Sequence, residues 1–331
     1  MTAADDLLIG DDVDADAPTA AESNPRSILD AAARAALVEL LGADVAFDEA
    51  LRRHTTARLG GPADAFARPS SIAQVQALIA WCAARAVPLT VIGGGSNLLI
   101  RDAGVRGVVL NTDRLRGLAL TAPTTIEVEA GVPTSKLLKL ALAHDLGGVE
   151  FLGGVPGSVG GGLIMNAGTY LGEFTSVVTW VESVDLRDGR VVRRDHAACG
   201  FRYRGSDLPP GELVVRALVT LRPRPRAEAD AEIKSLRARR HAREPKKVAS
   251  NGSTFKNPPG DFAGRLIESA GCKGWQVGDA VCSPVHANWL VSSGRASCAD
   301  MLALIERVRA RVREVHGVEL ELEVKIIGEE T

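Results

Sequence analysis

Residues 89–99 read Leu89-Thr90-Val91-Ile92-Gly93-Gly94-Gly95-Ser96-Asn97-Leu98-Leu99, a short apolar run that breaks into three consecutive glycines. The run after Pro88 predicts a buried strand, and the glycines let the backbone approach a phosphate and point N–H groups at its oxygens. The loop has neither the Lys-Ser/Thr ending of a Walker loop nor the GxGxxG spacing that opens a long helix, so by itself it is equally a tight turn. A second loop changes the balance. Residues 153–162 read Gly153-Gly154-Val155-Pro156-Gly157-Ser158-Val159-Gly160-Gly161-Gly162, with six glycines in one stretch. Two such loops can clamp both phosphates of a dinucleotide from opposite sides, using backbone donors that need no net positive charge.

Outward from these loops, apolar spacing at Ile72, Val75, Leu78, Ile79 and Cys82 predicts a helix starting at Ser71. An earlier helix is expected from a Ser27 cap through Leu40. Short strands are predicted at 107–110, 126–130 and 178–186, the last turning at Asp188-Gly189 into a hairpin. Two prolines among arginines at 222–226 mark a boundary. A charged helix should follow over 227–242, and a longer one over 298–316 that stops at Gly317. At the end, Leu320, Leu322, Val324 and Ile326 alternate with Glu319, Glu321, Glu323 and Lys325, the pattern of a strand with one core face. Strands and helices do not alternate regularly, so the expected class is α+β with more than one sheet.

The 331 residues are 46% hydrophobic, enough for two or three cores. Lys plus Arg number 39 against 41 Asp plus Glu, and aromatics make up only 4%, which speaks against nucleic acid or an anionic membrane as partner. Five cysteines without a CxxC pair point to reduced, packed thiols, and no metal site is expected. No apolar run approaches the ~20 residues that span a bilayer. These features lead to the expectation of a cytoplasmic monomer. Residues 1–24 hold seven acidic residues and little to bury, and are read as a disordered tail.

Three segments, Thr55-Thr56-Ala57-Arg58-Leu59-Gly60-Gly61-Pro62-Ala63-Asp64, Gly93 through Leu99, and Gly154-Val155-Pro156-Gly157-Ser158-Val159-Gly160-Gly161, resemble the flavin-binding motifs of the UDP-N-acetylenolpyruvoylglucosamine reductase family. Three more follow in order. Phe201-Arg202-Tyr203-Arg204-Gly205-Ser206 looks like that family's arginine motif, Asn251-Gly252-Ser253-Thr254-Phe255-Lys256-Asn257-Pro258 like its serine motif, and Leu322-Glu323-Val324-Lys325-Ile326-Ile327-Gly328 like its terminal glutamate motif. The resemblance implies a vanillyl-alcohol-oxidase-type FAD-binding fold of two α+β subdomains, over 25–224 with a division near 105, and a C-terminal α+β substrate domain over 225–331. It implies FAD and NADPH as cofactors. A UDP-sugar enolpyruvyl ether is the implied substrate.

By the same resemblance, Thr55, Arg58, Gly93, Gly94, Gly95, Ser96, Asn97, Gly154, Pro156, Gly157, Ser158, Gly160 and Gly161 hold the cofactor. Arg204, Ser253 and Glu323 are the catalytic set. The residue types suit the chemistry: an enol ether conjugated to a carboxylate accepts hydride only where its negative charge is damped, and a guanidinium does this at any pH. Ser253 is then the proton donor, and Glu323 an orienting or acidic group. Read without the family, Arg204 is a surface ion pair, Ser253 a turn residue, and Glu323 one of three carboxylates on a solvated face. Tyr203, Lys256, Asn257, Arg265 and Asn288 are candidates for substrate contact. The 49 positions from Arg204 to Ser253 resemble the shorter family form, which lacks an inserted substrate-covering loop, and the stretch Pro258-Pro259-Gly260 is expected to take over closure. An alcohol or sugar-lactone oxidase and a non-catalytic binding protein are the alternatives that the cofactor loops leave open.

Overall fold

The computed structural model describes residues 26–330, so the acidic tail lies outside the described residues. Three sheets organise the chain. In the first, Val45–Ala50, Pro62–Ala67, Val105–Asn111 and Leu89–Ile92 lie side by side in that order. The outer pair is antiparallel and the rest parallel. Leu89–Ile92 delivers the first glycine loop from this sheet's edge. The second sheet is antiparallel, in the order Val191–Asp195, Val178–Asp185, Glu212–Thr220, Thr125–Glu129 and Leu118–Ala122. The expected hairpin forms here, with Gly189 at φ 74° in its turn. The third sheet orders Ala249–Ser253, Trp289–Ser292, Ala280–Cys282 and Gln276–Val277.

Each sheet has its own apolar core. Val128, Leu137, Phe151, Phe174, Ala217 and Val219 are sealed around the second sheet, and Leu266, Leu290, Leu304, Ile305 and Val308 against the third. The first sheet packs Val75, Leu78, Ile79, Val108 and Leu110 together with the helix Ile72–Ala84, which Ser71 caps as expected.

Four expectations change. The first helix is Ala31–Leu41, and its cap is Asp30, whose carboxylate accepts from Ala33 N at 2.8 Å. Ser27 instead accepts from Leu29 N and from Arg34. A division near 105 would cut the first sheet, because Val105–Asn111 is one of its inner strands. The helix Arg226–Arg243, expected with the C-terminal domain, places Ile233 in the core of the second sheet. Lastly, the alternating C-terminal segment is a strand only at Lys325–Ile327. Ahead of it Leu320 and Val324 are buried, but the backbone bonds go to the 254–256 stretch, through Lys256 N to Glu321 O (2.8 Å) and Glu323 N to Thr254 O (2.9 Å).

Several contacts tie the C-terminal part to the first glycine loop and the strand after it, among them Asn251 Nδ2 to Leu98 O at 3.0 Å. Lys325–Ile327 pairs in parallel with Leu98–Ile100. Asp102, just beyond, accepts from Cys298 N (2.8 Å) and Ala299 N (2.9 Å), the first N–H groups of the helix Cys298–His316. Helix N-termini leave such donors without internal partners, and a carboxylate there also meets the positive end of the helix dipole. Replacing Asp102 by Ala should therefore lower stability by about 1–2 kcal/mol, read as a lower urea midpoint with an unchanged slope. An unchanged midpoint would show that water replaces the carboxylate without loss.

Candidate active site

The two glycine loops touch. A Cβ built on Gly94 would stand 2.9 Å from Gly157 Cα, and one on Gly93 would stand 2.7 Å from Ser158 Oγ. Gly95 has φ 66°, and a Cβ there would fall 1.8 Å from His54 O, so only glycine fits. The loops thus lie against each other and form one continuous edge.

Clefts of about 290 and 180 Å³ flank this edge. The larger is lined by Arg53, His54, Thr55, Thr56, Asn111 and Asp113, and the smaller by Arg116, Gly131, Pro133, Gly157, Ser158 and Asp113; Gly93 and Gly94 belong to both. Ser158 Oγ is buried in the smaller cleft without a hydrogen-bond partner, although buried hydroxyls are normally paired. An unpaired donor beside backbone that only glycine permits fits the diphosphate of a dinucleotide.

The other cofactor candidates divide. Thr55 lines the larger cleft, but its hydroxyl is engaged with Leu59 O (2.9 Å). Ser96 lies against Gly157. Arg58, at φ 55°, Pro156 and Gly161 are exposed. Gly154 is covered by the helix Arg226–Arg243, its carbonyl accepting from Arg240, and Gly160 packs on Ala130. Gly154 and Gly160 thus lie tightly packed against neighbouring residues. Asn97 turns its amide away from the clefts: Nδ2 donates to Glu323 O at 2.9 Å, and Asn97 O accepts from Lys325 N at 2.9 Å.

That bond leads to the catalytic candidates. Arg204 sits at φ 53° in a tight turn closed by reciprocal Arg202–Gly205 backbone bonds. Its Nε lies 3.2 Å from Glu323 Oε1, its Nη1 3.5 Å from Glu173 Oε1, and its Nη2 donates to Gly168 O at 3.3 Å. The Tyr203 ring lies under the guanidinium, 5.0 Å from centroid to Cζ. Ser253 ends its strand next to Thr254, whose carbonyl accepts from Glu323 N. So Arg204 reaches Glu323, and the Ser253 segment is tied to Glu323 through Thr254. Burial raises the Glu323 carboxyl above its ordinary value, and Arg204 and Lys256 only partly oppose this. Glu319 and Glu321, its neighbours in the alternating pattern, are exposed.

The substrate candidates are less uniform. Lys256 pairs with Glu321, and Arg265 binds Asp261 through Nε at 2.7 Å on the surface. Asn257 Oδ1 accepts from Ala263 N (3.0 Å) at the start of the helix Ala263–Ser269. Asn288 is corrected: it is buried, and its amide is engaged at both ends by the Phe255 backbone, at 3.0 and 2.8 Å, so it holds the serine segment from behind. Pro258–Gly260 forms a turn closed by Asp261 N to Pro258 O (3.2 Å). Sequence reasoning missed Asn166, Glu173 and Asp113, which carry no motif of their own. All five cysteines are buried, and burial pushes the thiols of Cys82, Cys282 and Cys298 up to about 12.

A glycine-edged dinucleotide cleft on this α+β scaffold, with an arginine, a serine and a raised carboxyl gathered beside it, defines an FAD-dependent oxidoreductase. Residues 63–195 match the FAD binding domain, and residues 244–327 match the C-terminal domain of UDP-N-acetylenolpyruvoylglucosamine reductase. The reductase of that name from Anaeromyxobacter dehalogenans (strain 2CP-C) is 47% identical over 282 residues, 85% of each chain. The one from Rubrobacter xylanophilus is 45% identical, over 86% of this chain and 95% of the relative. The crystal structure of the Thermus caldophilus enzyme superposes with a TM-score of 0.73 at 36% identity, covering 84% of this chain and 97% of the other. The chain belongs to the UDP-N-acetylenolpyruvoylglucosamine reductase family, and its reductase function lies in peptidoglycan precursor synthesis. Among the described residues, no helix is long and apolar enough to cross a membrane.

Gly95→Ala should yield protein that folds but is purified without yellow colour, with absorbance near 450 nm reduced about tenfold or more, because the new methyl displaces the loop. Full flavin content would refute the role of the glycine edge.

Proposed function

We propose that the protein reduces UDP-N-acetylglucosamine enolpyruvate to UDP-N-acetylmuramate, with NADPH as the reductant. The observation that carries this reading is the meeting of Arg204, Glu323 and the Ser253 segment beside the flavin loop. FAD, once bound and reduced, supplies the hydride for the enolpyruvyl carbon. Thr55, Gly93, Gly94, Gly157 and Ser158 hold it along the glycine edge, where backbone N–H groups answer the diphosphate charge.

Arg204 binds the carboxylate conjugated to the double bond. Each of its terminal nitrogens carries two N–H groups, so the contacts to Glu173 and Gly168 leave one on each for a planar carboxylate. The guanidinium then stabilises charge as it moves onto that carboxylate. Ser253 donates the proton to the adjacent carbon. Among the described residues its hydroxyl has no hydrogen-bond partner, which leaves the proton free to move toward substrate. Glu323, its carboxyl raised by burial, donates a hydrogen bond to the same developing charge when it carries its proton. Lys256, beside it, contributes positive charge toward the UDP-sugar. We assign the flavin to the first two sheets and the substrate to the third, with the boundary behind the helix Arg226–Arg243.

Ser253→Ala should leave reduction of the flavin by NADPH within about twofold of the parent and slow its reoxidation by the enolpyruvyl substrate by a factor of about 1,000 or more. If both half-reactions survive, Ser253 is not the donor. The pH dependence has a definite sign. A raised carboxyl stays protonated above the usual carboxylate value of about 4.3 and loses its proton as pH climbs through its own value, so reoxidation should slow on the alkaline side. Glu323→Gln should remove that limb. A limb that persists in the variant belongs to another group.

A further inference from the structure

A short hairpin holds Arg204 from the side opposite Glu323. Gly168–Thr169 pairs with Gly172–Glu173 so that Gly168 and Glu173 are direct partners. Both contribute an oxygen to the Arg204 guanidinium. A Cβ on Gly168 would stand 2.5 Å from Glu173 Cγ, so glycine lets the Glu173 side chain cross its partner strand toward Arg204. Glu173 is itself held. Asn166, 1% exposed and at φ 42°, donates from Nδ2 to Glu173 Oε2 (2.8 Å) and to Arg202 O (3.1 Å), and its Oδ1 accepts from Thr175 N (2.9 Å). One buried amide therefore fixes both the carboxylate and the turn that presents Arg204.

We propose that Glu173, locked by Asn166, is a positioning residue that holds the Arg204 guanidinium opposite Glu323 and supplies its resting counter-charge. This rests on the assignment of Arg204 to the substrate carboxylate. A single carboxylate partner would draw the full positive charge to Glu323 and favour its ionised form. Sharing the guanidinium between two carboxylates weakens its pull toward the ionised form of Glu323 while Arg204 stays in place. The charged groups facing Glu323 are Arg204 from the 202–205 turn and Lys256 from the serine segment, with the neutral Asn97 from the flavin loop. Glu173 acts on it through Arg204.

The test compares Glu173→Gln, which keeps the size and the acceptor for Asn166 but removes the charge, with Arg204→Lys and the parent holoenzyme. In Glu173→Gln, reoxidation by UDP-N-acetylglucosamine enolpyruvate should slow about tenfold or more while reduction by NADPH stays within about twofold. Its alkaline limb should move to lower pH, and calorimetry should show weaker binding of UDP-N-acetylmuramate to the oxidised enzyme. Reoxidation within twofold of the parent, or an unmoved limb, would overturn the proposal. Arg204→Lys separates the two roles. If it reoxidises normally, the assignment of Arg204 to the substrate fails; if it is slow while Glu173→Gln is normal, only the role of Glu173 fails.

Discussion

The parallel pairing of Lys325–Ile327 with Leu98–Ile100 brings the last residues of the chain against the strand that leaves the first glycine loop. Asn97 extends this contact, accepting from Lys325 N and donating to Glu323 O. Glu323 is therefore set by the cofactor loop on one side and by Thr254, next to Ser253, on the other. Asp102 adds a second tie by capping the helix Cys298–His316. The serine strand adds its own ties, from Ser250 N to Thr56 O at 3.1 Å and from Asn251 Nδ2 to Leu98 O at 3.0 Å, so Ser253 and Glu323 are fixed relative to the flavin cleft, and Arg204, presented from the 202–205 turn, meets Glu323 there.

Charge is handled locally in this site. The chain is close to neutral, with a formal net charge of −2, so neither cofactor nor substrate is drawn in by a global field. What the site offers is local: the unpaired Ser158 hydroxyl beside the glycine edge, and the Arg204 guanidinium in contact with Glu323 and Glu173. Burial raises Glu323 even though Arg204 lies 3.2 Å away, so desolvation outweighs the ion pair at this carboxyl. Arg204 also meets a second carboxylate, Glu173, at 3.5 Å, so it does not depend on Glu323 alone for its counter-charge.

Much of the fold was legible because local chemistry and tertiary structure agree. Ser71 caps its helix, Gly317 at φ 67° ends the long C-terminal one, and Asp188-Gly189 turns the hairpin. Where they parted, a distant contact decided. The alternating pattern at 319–326 promised a long strand, but only Lys325–Ile327 finds a ladder, because the earlier backbone groups pair with the serine segment. Motif resemblance singled out Arg204, Ser253 and Glu323, of which the structure pairs Arg204 with Glu323, whereas periodicity alone left Glu323 level with Glu319 and Glu321. Asn288 shows the limit of residue type as a guide: an amide suited to a sugar is consumed by the Phe255 backbone. Glu173 and Asn166 were invisible because their importance is purely geometric, seven positions apart in sequence and joined through Arg204 and the 202–205 turn.

The most direct measurement is an anaerobic flavin spectrum of the purified protein taken in two steps. NADPH should bleach the absorbance of the bound flavin, and subsequent addition of UDP-N-acetylglucosamine enolpyruvate should restore it with formation of one equivalent of UDP-N-acetylmuramate. A flavin that stays bleached after the second addition, yet is reoxidised by oxygen, would contradict the account.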